Sequence, residues 1–119
     1  MHTETPTVYE VVDKAVAMTD PDGHDDAIVE LLESFEDDDR PARGIEDIAE
    51  VLGSTAQGVD PEGDSPGVRV AAAVAAFLAT KPEGGDDRKS TMRVAVRTAY
   101  GDDVPEPVAE WLRDEGVEL

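Results

Sequence analysis

Ten consecutive residues, Val70 to Ala79, carry no polar side chain. Alanine supplies most of this run, and alanine is a strong helix former and a poor strand former, so the segment is read as a helix rather than a buried strand. A helix that is apolar around its whole circumference belongs where other elements cover it on every side. Ten residues fall well short of the roughly 20 that a membrane-crossing helix needs. The cover is therefore expected from neighbouring helices, with this segment at the centre of a bundle.

The rest of the chain supplies those neighbours. Val8, Val11, Val12 and Ala15 fall at helical spacing, Thr7 and Glu10 stand at the spacing of a capping box, and the helix should end near Thr19, before Pro21. Ile28, Leu31, Leu32 and Phe35 repeat the pattern behind Asp22, Asp25 and Asp26, acids that suit the positive end of a helix dipole. A third helix is read from Ile45, Ile48, Ala49 and Leu52. Its signal fades beyond Gly53 into a loop holding Gly58, Pro61, Gly63, Pro66 and Gly67. After the apolar segment, a fifth helix from about Asp87 to Tyr100 places Met92, Val96 and Ala99 on one face. A sixth, from about Pro105 to Glu115, has Val108, Trp111 and Leu112 as its stripe, and Gly116 fits the left-handed position after a helix. The expected fold is one all-α domain over residues 1–119, a compact bundle of five to six short helices around a central apolar helix.

Charge says more about solvent than about chemistry. The chain carries 29 Asp and Glu against 10 Lys and Arg, a formal net charge of −19. Repulsion at that density destabilises a compact body at low ionic strength, whereas molar salt shortens the screening length to about 3 Å and makes the surplus tolerable. The cations are seven Arg and three Lys, asparagine is absent, and Ala and Val dominate the apolar residues. This composition resembles that of soluble proteins from salt-in extreme halophiles. Apolar residues at 39% with helical spacing argue against a disordered acidic segment. No cysteine is present, which removes disulfides and thiolate chemistry, and the first residues show no secretion signal. A cytoplasmic location without membrane contact is expected.

Motifs for catalysis or metal binding are weak throughout. The segment Asp20 to Asp26 has acids like those of a calcium loop, but His24, Asp25 and Leu31 stand where an EF-hand needs an oxygen ligand, a glycine and a glutamate. An acidic helix cap is the better reading. His24 has no second histidine or cysteine at ligand spacing, and no serine sits in a nucleophile elbow. Gly84 and Gly85 precede Asp86 and Asp87, which occupy the place a bound phosphate would need. No catalytic, cofactor or metal residue is assigned, and the chain is not expected to be an enzyme.

Acidity lapses in one place. Residues 1–60 hold 17 acids and 3 bases, a net of −14, while residues 61–119 hold 12 acids and 7 bases, a net of −5. Four of those bases, Arg88, Lys89, Arg93 and Arg97, lie in the fifth helix, where Lys89, Arg93 and Arg97 step by four and form one stripe. Either the stripe pairs with acids of its own chain or of a second copy, or it docks an anionic partner. The first is favoured, because Arg matches carboxylates well through its planar fork. The expected function is a non-catalytic interaction or regulatory role, with an unidentified protein partner or self-association. Its surface is assigned to Arg88, Lys89, Arg93 and Arg97, with Trp111 as an aromatic anchor. The alternative is a nucleic-acid-associated regulator that uses the same stripe, with the segment Ile45 to Ala56 as a degenerate helix-turn-helix broken at Gly53. It is disfavoured, because no cationic recognition helix follows and the acidic first half repels phosphate.

Overall fold

Local rules place the helix ends, and packing on the apolar segment decides the rest. The computed structural model describes residues 7–42, 47–62, 65–81 and 87–118. Among them are six α-helices and no β-strand: α1 (Val8–Thr19), α2 (Asp26–Ser34), α3 (Ile48–Val59), α4 (Pro66–Thr80), α5 (Arg88–Tyr100) and α6 (Glu106–Asp114). The capping box at the start of α1 is complete. Thr7 Oγ1 accepts the Glu10 N–H at 3.1 Å, and Glu10 Oε1 accepts the Thr7 N–H at 2.8 Å. Asp25 caps α2 through the Ala27 N–H, and Asp87 caps α5 through the Lys89 N–H. At the end of α6, Gly116 takes φ +82°, its N–H donates to Arg113 O and the Val117 N–H donates to Leu112 O at 2.8 Å. These are the paired bonds of a Schellman ending, and Val117 is carried back into the core.

α4 occupies the centre, packed by α1, α3 and α5 most extensively and also by α2 and α6. Val68, Val70, Ala71, Val74, Ala75 and Leu78 are all at most 1% exposed, so the circumference of the helix is covered nearly all round. Each large apolar side chain buried in this way contributes about 1.5 to 3 kcal/mol. The core is thus organised around the covering of one helix. The Cα radius of gyration, 13.1 Å, is that of a compact chain of this length, for which about 13.5 Å is expected.

One element departs from the sequence pattern. α3 runs without a break through Gly53 and Gly58 to Val59, so the loop expected from Gly53 onward begins only at Asp60. Two glycines cost roughly 1 kcal/mol each relative to alanine in a helix interior. Leu52 and Ala56 bury fully against the core on the same helix and offset that cost. The turn of the supposed helix-turn-helix is thus absent at Gly53. Ile45, where the third helix was expected to begin, lies outside the described residues, as do the Gly84 and Gly85 of the supposed phosphate loop. α4 also starts four residues before the apolar run, with Pro66 at the first helical position, where its missing N–H costs nothing.

Several acids do structural work inside this frame. Asp20 closes the α1–α2 turn by accepting the His24 and Asp25 amides at 3.0 and 2.9 Å. Asp25 Oδ2 accepts the Ser65 hydroxyl at 2.5 Å, which joins the start of α2 to the start of α4. Buried Asp60 accepts the Ser65 N–H at 2.8 Å. The calcium-like segment is in this way a pair of turn and cap acids. Among the described residues no group of three or more His, Asp or Glu is placed to hold a metal ion. Among the described residues no helix is long and apolar enough to cross a membrane.

Candidate functional site

The five residues assigned to a partner surface separate into four environments. Arg88, first residue of α5, turns inward. Its Nε donates to Met18 O at 2.5 Å and its Nη2 to Glu115 Oε1 at 2.6 Å. A cation at the carbonyl end of α1 complements the helix dipole and satisfies an orphan acceptor. Arg88 is thus a clasp that ties the start of α5 to the ends of α1 and α6.

Trp111 stands on the far side of that clasp. It is half-buried, its indole edge 3.0 Å from where a Cβ on Gly67 would lie, so the absence of a side chain at Gly67 lets α6 pack closely on α4. The shallow depression beside it is acidic, with Asp20, Asp25, Asp26 and Glu115 around it.

Lys89 and Arg93 meet a residue from another helix. Together with Arg113 of α6 they line an open cleft of about 330 Å³ whose other walls include Ser90, Gly116 and Val117. Lys89 Nζ lies directly over the Schellman glycine, 3.0 Å from the position a Cβ on Gly116 would take. The left-handed turn and Arg113 lie alongside α5, and a side chain at Gly116 would crowd the lysine. Glu118 lies on the rim. Arg97 is exposed on the outer face of α5, one turn beyond the cleft.

Of the described cations only Arg40 and Arg88 are ion-paired, and what sets the cleft apart is that three unpaired ones converge there. Arg40 is paired through both arms with Asp38, at 2.8 and 2.5 Å, and the hydrogen bonds from its guanidinium hold the Asp38 carboxyl below its usual value. Arg88 is paired with Glu115. Among the described residues Lys89, Arg93, Arg97 and Arg113 enter no ion pair. The neighbouring Asp87 is engaged elsewhere: the Ser90 hydroxyl, donating at 2.9 Å, is the chief cause of its lowered pKa, with the Lys89 charge a smaller one. Lys89 also sits in the first turn of α5, at the positive end of the helix dipole, where a cation is unfavourable by a few tenths of a kcal/mol or more.

Sequence periodicity located Lys89 and Arg93 but not Arg113. Nothing along the chain links the last turn of α6 to the first turn of α5; only the fold does. Chemically, the cleft offers three cationic heads to an anion, with the Glu118 carboxylate at its rim and the Ser90 hydroxyl already committed to Asp87. No family model, curated protein or solved structure matches this chain.

Proposed function

We propose that this chain is a salt-adapted, non-catalytic interaction protein whose cleft between α5 and the end of α6 receives carboxylate groups of an acidic protein partner. The observation that carries the reading is the convergence of Lys89, Arg93 and Arg113, unpaired among the described residues, in a molecule with 29 acids to pair them with. Three cations gathered in one cleft, one of them against a helix dipole, concentrate positive charge on an otherwise acidic surface, where a partner's carboxylates would complete it.

The ligand class follows from scale and salt. A cleft of about 330 Å³ accommodates one or two side-chain carboxylates, and Arg meets a carboxylate with two parallel hydrogen bonds that survive at contact range. Duplex nucleic acid fits less well. Three phosphate contacts lose affinity as roughly the 2.7 power of salt concentration, and the rest of a −19 surface repels a long polyanion. The unbroken α3 also lacks the turn a helix-turn-helix needs.

Fluorescence anisotropy with a labelled Glu-rich peptide and a labelled DNA duplex, each titrated in molar KCl, tests the proposal. Wild type should bind the peptide and lose it on Arg93→Glu/Arg113→Glu, with the duplex unbound. Duplex binding that vanishes in that variant, with no peptide binding, would replace this reading with the nucleic-acid one. The salt adaptation has its own test: the thermal midpoint should climb steadily from low to multi-molar KCl, and a level midpoint would remove it.

A further inference from the structure

On the opposite flank of α5 from the cleft, α3 and α5 lie on two sides of α4 and leave a trough between them. Two adjoining depressions, of about 290 and 450 Å³, share Ala49 and Glu50 of α3, Ala73 and Ala76 of α4 and Ala99 of α5. Gly53 widens one depression and Phe77, half-buried, closes the other. Here the covering of α4 is least complete: Ala76 and Phe77 are half-buried within an otherwise buried apolar run. Ala99, on the apolar stripe of α5, stands exposed for the same reason. Beside the trough, on the outer ridge of α5, Val94 is 42% exposed, the only large hydrophobic side chain so exposed among the described residues. It precedes Ala95 and Thr98, which line the trough.

We infer that this trough is the interface between two copies of the chain, with the α5 ridge of each copy seated along the trough of the other. α5 supplies both a wall and a ridge, so one patch plays both roles, which is the self-complementarity that a two-fold dimer requires. The charges complement each other in the same sense. The α3 wall carries exposed Asp47 and Glu50, whereas α5 carries Arg93 and Arg97 next to Val94 on its cleft-facing side, neither ion-paired among the described residues. Two-fold pairing sets the acids of one copy against the arginines of the other. Elsewhere a surface with net charge −19 repels its own copy, so a patch that is locally balanced and apolar is where self-association costs least. Small side chains along the trough permit the close helix approach that an 8 to 10 Å interaxial spacing demands, at about the lower limit of that range.

The dimer interface shares Arg93 with the cleft, but Lys89 and Arg113 take no part in the trough, so variants at those two residues tell the two surfaces apart. Sedimentation equilibrium in molar KCl, where apolar association is strengthened, reads it directly. Wild type should sediment as a concentration-dependent dimer. Val94→Glu and Ala99→Arg, both at exposed positions, should each raise the dimer dissociation constant roughly tenfold or more while circular dichroism shows the helices intact. Lys89→Glu/Arg113→Glu should leave the dimer unchanged while abolishing peptide binding. A wild-type monomer at every concentration overturns the inference, and so does a dimer that resists both trough substitutions or is lost only in the cleft variant. Should one trough variant fail to fold, the other decides. Concentration-dependent hydrogen-exchange protection of wild-type residues 49–53 and 94–99 supplies a reading that needs no variant, and its absence counts against the interface.

Discussion

Replacing Gly116 with alanine separates what the C-terminal turn does for stability from what it does for binding. At φ +82° the residue is left-handed, a conformation that costs an L-residue with a Cβ about 1 to 2 kcal/mol. Alanine also restricts the unfolded chain, which returns about 0.4 to 1 kcal/mol. The net loss should be near 1 kcal/mol, or a fall of about 3 to 5 °C in thermal midpoint for a domain of this size. The new Cβ would lie 3.0 Å from Lys89 Nζ and 3.4 Å from its Cε. The lysine is exposed and flexible, so it swings aside at little cost in stability but leaves the cleft. Peptide affinity should therefore fall several-fold. Asparagine tolerates the left-handed region but carries the same Cβ, so Gly116→Asn should recover most of the stability and little of the affinity. Circular dichroism melts and anisotropy titrations in molar KCl give both quantities for the three proteins. An alanine variant as stable as wild type would refute the backbone reasoning. An asparagine variant that binds like wild type would refute the role given to Lys89.

Three further outcomes follow from the packing and pairing. Leu78→Ala, fully buried in the last turn of α4, should cost about 2 to 5 kcal/mol by denaturant unfolding, whereas Val94→Ala, measured below the dimer range, should be close to neutral. Arg88→Ala removes bonds to Met18 O and Glu115 together; discounted for a side chain 36% exposed, the loss should be about 1 kcal/mol, with earlier amide exchange at the end of α1. Asp38 has its folded-state pKa lowered by Arg40, so its contribution is present above the ordinary carboxylate value and is lost as pH falls through the lowered one. Stability curves of wild type and Asp38→Asn should differ near neutrality and converge in acid, and a gap that persists at low pH would contradict the pairing.

Much of this fold is written locally, and the exceptions have physical causes. The capping box of Thr7 and Glu10, the cap acids of α2 and α5, and Gly116 act over four or five residues, so periodicity and cap chemistry suffice to place the ends of most helices. α3 was foreshortened because Gly53 and Gly58 weaken a helix considered alone, while what sustains it is the burial of Leu52 and Ala56 on α4, a tertiary effect. The candidate site was legible by half. A four-residue step puts Lys89 and Arg93 on one stripe, but Arg113 joins them only in the fold, where α6 packs on α4 and the turn at Gly116 lies beneath Lys89. Arg88 belongs to the same run of bases and differs only in facing the carbonyl end of α1, which spacing does not encode. The roles of individual acids were the least readable feature, since Asp20, Asp25 and Asp60 are placed by hydrogen bonds to turns and helix starts, one of which, between Asp25 and Ser65, joins distant parts of the chain.

The measurement that bears most directly on the central claim is an amide chemical-shift map of the protein titrated with a Glu-rich peptide in molar KCl. Perturbations should concentrate at Lys89, Ser90, Arg93, Arg113 and Gly116, and should vanish when Arg93 and Arg113 are both replaced by Glu. Perturbations centred on α1 to α3, or spread evenly over the surface with none focused on the cleft, would contradict the assignment of that cleft as the binding site.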